Sequence, residues 1–113
     1  MKRYRKDKKV TILELRVEKG DEVGFYDRIY EPIEGLENIW AYYRHLSGKE
    51  FFAAATMNSK VEVVFIVNWK EKLVTTNPVV MRVLYNNDEY SITQIDDFEG
   101  RKSDIKIYAY KIN

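Results

Sequence analysis

The sequence has no cysteine, one histidine and two prolines among 113 residues. Without cysteine there is no disulfide framework and no thiolate metal site, which suits an intracellular or virion protein better than a small secreted one. His45 alone leaves one imidazole for acid–base or metal work. No apolar run approaches the roughly 18 residues of a membrane helix. The basic start leads into an alternating pattern with no apolar core of a signal peptide behind it. These absences predict a soluble chain with no membrane partner. No glycine-rich phosphate loop is present, since "GRKSD" lacks the framework of one.

What is present is ordinary globular composition, 45% apolar and 33% charged, in a length that predicts a single domain over 1–113. The net charge of +1 conceals an uneven distribution. Residues 1–9, "MKRYRKDKK", carry six basic residues and one acid, and the remainder of the chain is net acidic. Within that remainder, residues 18–37 hold seven acids against Lys19 and Arg28. The pattern therefore predicts a basic arm (1–9) and a long acidic loop (18–35), punctuated by Gly20, Gly24, Gly35 and Pro32. Both are compatible with simple solvated segments. Lys2, Arg3, Arg5 and Lys6 of the arm and Glu22, Asp27 and Glu31 of the loop are the charged candidates for subunit or partner contacts.

Alternation supplies the fold class. "VTILELRV" (10–17), "LENIWAYYRHL" (36–46) and "VEVVFIVNW" (61–69) have the β-branched, alternating character of strands, and the third is apolar enough to be covered on both sides. "KEKLVTTNP" (70–78) is expected to be a loop. "VVMRVLY" and "EYSITQI" flank "NND", whose residues tolerate the left-handed backbone of a tight turn, so a β-hairpin is expected. "DIKIYAYKI" closes the chain as a strand. The sum is a mainly β fold, a small antiparallel barrel or compact sandwich of about six strands.

One segment breaks the alternation. In "LSGKEFFAAATMN", Ser47-x-x-Glu50 is a capping box, in which hydroxyl and carboxylate each satisfy the other residue's backbone N–H. Leu46 and Phe51 are spaced as a hydrophobic staple. The spacing predicts one short helix over about 48–57, between strands two and three. Phe51, Ala54 and Ala55 are expected to face the sheet and Phe52 to point at a neighbour or a partner. Such a helix either plugs a barrel end or lines a surface shared with another subunit.

These residues carry a resemblance. A Trp-Ala strand leads into Leu-Ser-Gly-x-Glu and an aromatic, then an Ala-rich helix, a β-branched strand, and Met-Arg-Val with a hairpin. Trp40, Ala41, Leu46, Ser47, Gly48, Glu50, Phe51, Met81, Arg82, Val83, Tyr90 and Ile92 fall in that order. The sequence resembles the phage head–tail joining family, also called head-closure or stopper proteins, over about residues 36–112. The resemblance implies a small β-barrel without enzymatic activity or cofactor, in the virion at the head–tail connector and in the host cytoplasm before assembly. It implies partners too: further copies in a ring, a portal or adaptor protein above, a tail protein below, and DNA passing through without sequence-specific binding. His45 and Asn68-Trp69 depart from the family's usual residues at their positions.

Chemistry finds little footing. Ser47 is occupied as a cap, and Asp96, Asp97 and Glu99 read as a solvated turn before they read as a cation site. The competing reading is an OB-like single-stranded nucleic-acid binder, with Trp40, Tyr42, Tyr43 and Arg44 stacking bases beside the basic arm. The acidic body opposes it.

Overall fold

The computed structural model describes residues 4–19, 26–56 and 60–112, without the side chains of 17–19, 26 and 27. Seven strands form one antiparallel sheet: β1 (Lys8–Lys19), β2 (Tyr26–Pro32), β3 (Ile39–His45), β4 (Val63–Asn68), β5 (Met81–Tyr85), β6 (Asp88–Asp96) and β7 (Asp104–Lys111). Helix α1 (Gly48–Thr56) joins β3 to β4, and a five-residue helix α2 (Glu71–Thr75) with a 3-10 turn at Pro78–Val80 joins β4 to β5.

The strands run β1-β3-β4-β7-β6-β5, and β5 returns to β1 through Thr11–Glu14 against Leu84–Met81, which closes a six-stranded barrel. Closure removes the free edges of the barrel wall, where β1 takes part through residues 8–14. The barrel interior follows from strand parity: Val63, Phe65 and Val67 of β4 meet Ile105, Ile107 and Ala109 of β7, with Val10 and Ile12 of β1 opposite. Phe65 lies at the centre, its ring 5.2 Å from that of Tyr43, 5.7 Å from Tyr85 and 5.3 Å from Tyr90. Burial, and then the neighbouring Tyr90, push the Tyr43 hydroxyl up to about 12, so Tyr43 is neutral at physiological pH.

The turn between β5 and β6 has both central residues at positive φ, Asn86 at 53° and Asn87 at 67°. That is the geometry of a two-residue hairpin loop whose twist matches its strands, and asparagine tolerates it.

Three expectations change. The segment 18–35 is not one long loop, because β2 occupies Tyr26–Pro32 and pairs with β1 from Leu13↔Pro32 to Lys19↔Tyr26. It is an edge strand, and the charges and proline that disguise it as a loop are what edge strands carry to resist further pairing. It raises the strand count from about six to seven. The expected loop at 70–78 contains α2, whose Leu73 is completely buried in the barrel core. Its anchor is one leucine on one helical turn, too short a pattern to show periodicity.

Beyond Glu14, β1 pairs only with β2, so the two strands leave the barrel as a ribbon. Arg82 of β5 fixes its root. The guanidinium lies 3.8 Å from the ring centroid of Tyr30 on β2 and pairs with Glu89 of β6 at 3.2 Å.

Candidate functional site

The capping box forms as its spacing dictates. The Glu50 backbone N–H donates to Ser47 Oγ at 3.3 Å, and the Ser47 backbone N–H donates to Glu50 Oε1 at 3.2 Å. Arg44 completes it, a residue the spacing did not single out. Its Nη1 donates to Glu50 Oε1 at 2.6 Å and its Nη2 to Oε2 at 3.0 Å, a two-point pairing that ties α1 to β3. Arg44 shares strand parity with Trp40 and Tyr42 on the outer face of β3, the signal that could have pointed to it.

This clamp sets the orientation of α1. With Glu50 held against the sheet, the residues at i+3 and i+4 follow it, and Glu50, Ala53 and Ala54 line a groove of about 220 Å³ with Leu46, Val61 and Tyr108. Phe51 therefore turns outward, contrary to the expected Phe51, Ala54 and Ala55 face. Phe51 is 52% exposed and Phe52 71%, with their rings 6.2 Å apart. No residue of α1 is buried, so the helix does not plug the barrel. The buried Leu73 of α2 enters the core instead.

The Arg44 guanidinium and the cap hold the Glu50 carboxyl down at about 2, against its ordinary 4.5. A depressed carboxyl contributes stability that is present above its unfolded pKa and is lost as pH falls through the folded one. Glu50→Gln is expected to melt lower than the parent by about 1–2 kcal/mol near neutral pH, a figure reduced for solvent screening. The gap should close as pH is lowered from about 4.5 towards 2. Thermal melts of both proteins across that range check it, and a gap independent of pH refutes the assignment.

The remaining candidates separate. Ala41 is buried in the core with Met81, Val83, Tyr90 and Ile92. Trp40 faces outward and is 52% exposed, with Lys9 Nζ 4.1 Å from its ring centroid. Leu46 is partly buried, and Ser47 and Gly48 are exposed where α1 starts. In the arm, Lys6 Nζ pairs with Asp104 of β7 at 2.6 Å, Tyr4 packs on Tyr42 of β3 at 5.4 Å, and Arg5 pairs with Asp7 at 3.6 Å. Residues 4–6 of the arm are therefore fastened to the barrel wall at β3 and β7. Glu31 pairs with Arg16 at 2.9 Å. Lys2, Arg3, Glu22 and the Asp27 side chain lie outside the described residues.

The groups weighed for chemistry have structural work. Asp96 accepts the Phe98 backbone N–H at 2.8 Å, and the exposed His45 has Nε2 3.3 Å from the Tyr43 hydroxyl. No helix of the described residues is long and apolar enough to cross a membrane.

The barrel, its extra ribbon and its outlying helix can be set beside known proteins. The family model described as phage head completion protein matches residues 1–111. The chain belongs to the phage head completion protein family. As a head completion protein it is a structural component of the phage head, located in the virion. Among solved structures, a chain from the "Virion of native gene transfer agent (GTA) particle" has the same fold, with a TM-score of 0.59 and 12% identity over 97% of this chain and 98% of that one. No curated protein matches the sequence.

Proposed function

We propose that this head completion protein is a non-enzymatic connector subunit. Copies assemble as a ring below the portal, help to retain packaged DNA, and present a surface on which the tail docks. The family match over residues 1–111 carries the reading. The gene transfer agent structure supports it, since that fold occurs there as a particle component. A capped helix that buries nothing of its own, and holds Phe51 and Phe52 in solvent, supports a contact with another subunit or a docking protein. Ser47 and the lone His45 are engaged within the fold, which favours a structural role over catalysis.

Particles produced without the chain are expected to lose packaged DNA and to lack tails, with recovery on supplying the parent protein. Phe51→Ser/Phe52→Ser is expected to keep the parent's melting behaviour within about 1 kcal/mol, because both rings are exposed, yet fail to restore tailed particles. Tailed, DNA-filled particles in the chain's absence would overturn the reading.

The half-exposed Trp40 beside Lys9 and the arm favours the second reading, single-stranded nucleic-acid binding. That reading requires micromolar, salt-sensitive binding of an oligonucleotide in about 150 mM salt, lost in Trp40→Ala.

A further inference from the structure

Positive charge is held in two different ways on this barrel. Arg44, Arg82 and Lys111 sit against carboxylates, those of Glu50, Glu89 and Asp88. Four lysines sit against aromatic rings instead. Lys9 Nζ lies 4.1 Å from the ring centroid of Trp40, and Lys102 Nζ 5.4 Å from that of Trp69. Lys60 Nζ lies 4.6 Å from the centroid of Tyr110, and Lys106 Nζ 5.2 Å from that of Tyr108. None of these lysines forms an ion pair among the described residues. Even Lys106, opposite Asp96 in register, stays over its ring, while Asp96 accepts the Phe98 backbone N–H. A ring holds an ammonium in place without neutralising it, so these charges remain open to an anion.

The rings are gathered on one side of the barrel. Tyr108 and Tyr110 point outward from β7, Trp40 points outward from β3, and Trp69 directly follows β4. These strands are neighbours, in the order β3-β4-β7. Lys102 precedes β7 and Lys60 stands near its far end, so the row runs the length of that strand. Its eight residues span about 27 Å at roughly 3.4 Å each. Of the acids on this wall, Glu50 and Asp104 are already paired, with Arg44 and Lys6, which leaves Glu62. Asp88, Glu89, Asp96, Asp97 and Glu99 lie on β6 and the turn after it. A net acidic body thus carries a locally basic wall.

We propose that this wall lies against the phosphates of duplex DNA. A duplex presents a phosphate roughly every 3.4 Å along each strand, so a row of this length faces several. The rings themselves favour a duplex over a single strand. A ring face under an ammonium is not free to stack a base, so the wall offers charges and not platforms. Phosphate contacts read no sequence and let DNA slide, as transit through a connector requires. The contact rests on the connector reading for the source of the DNA.

The test titrates the full chain into a labelled duplex of about 30 base pairs, at about 50 to 200 mM salt. Parent protein is expected to bind with a dissociation constant of about 100 µM or tighter at the lowest salt. The logarithm of affinity should fall against that of salt with a slope of about −3 to −4, close to −0.9 per lysine engaged. Lys60→Glu/Lys102→Glu is expected to bind at least about tenfold more weakly, with the slope reduced by about 2. Lys60→Gln/Lys102→Gln removes charge without reversing it and should lose affinity in the same direction, which covers a reversal that fails to fold. Arg28→Glu/Lys72→Glu makes an equal charge change on exposed residues of β2 and α2, and should stay within about threefold of the parent. Weaker binding by the parent, a control variant that loses as much as the wall variant, or a wall variant that binds like the parent each overturn the proposal. So does a single strand held more tightly than the duplex and lost in Trp40→Ala, which assigns stacking instead. Polyglutamate held as tightly as the duplex overturns it too, and gives the wall to an acidic protein. A parent chain that restores tailed, DNA-filled particles yet binds no duplex refutes this contact and leaves the connector reading. Such particles formed without the chain refute that reading instead.

Discussion

Phe65→Ala is expected to lower stability by about 3–5 kcal/mol, the cost of truncating a buried aromatic whose cavity cannot collapse. Phe65 is fully buried on the central strand β4, and its ring meets Tyr43, Tyr85 and Tyr90, which come from three other strands. Losing the ring removes apolar burial and three aromatic contacts together, each worth about 0.5–1.5 kcal/mol beyond its area. Natural domains have only about 5–15 kcal/mol in total, so the variant should sit near the edge of folding. Urea unfolding of both proteins measures the difference. A loss under about 1 kcal/mol would mean that the barrel interior is not packed around this ring.

Leu73→Ala is expected to cost about 2–5 kcal/mol, although it lies on a helix of five residues. The side chain is completely buried and belongs to the same core as Ile105 and Ile107. One turn of helix has too few hydrogen bonds to persist alone, so its order depends on that side chain. Leu73→Met, which conserves volume, should cost under about 1.5 kcal/mol. Amide exchange should show the loss concentrated at residues 71–80. A near-neutral Leu73→Ala would make α2 a surface turn.

The interior of this barrel was legible from the sequence because parity states it. Ile105, Ile107 and Ala109 alternate with Lys106, Tyr108 and Tyr110, and the structure buries the first set. The asparagine turn and the start of α1 were legible because their local chemistry is self-contained: left-handed backbone at Asn86 and Asn87, and a cap closed within four residues. What was hidden depends on partners distant in sequence. β2 is a strand because β1 is beside it, and its charges and Pro32 argue locally for a loop. Leu73 is a core residue because α2 packs it among side chains from distant strands. The outward turn of Phe51 follows from Arg44, six residues before Glu50, which no helical period connects to it.

β1 is a single beam with two loads. Its first seven residues are wall, paired with β3 or β5, and its last five are cantilever, paired only with β2. A pull on the ribbon along the strand axis would load the β1–β5 ladder in shear, all four residue pairs at once, whereas a sideways push would meet the Tyr30–Arg82–Glu89 brace first. A load on the ribbon therefore pulls on the same strand that closes the barrel. Such tension would be borne by the barrel wall itself.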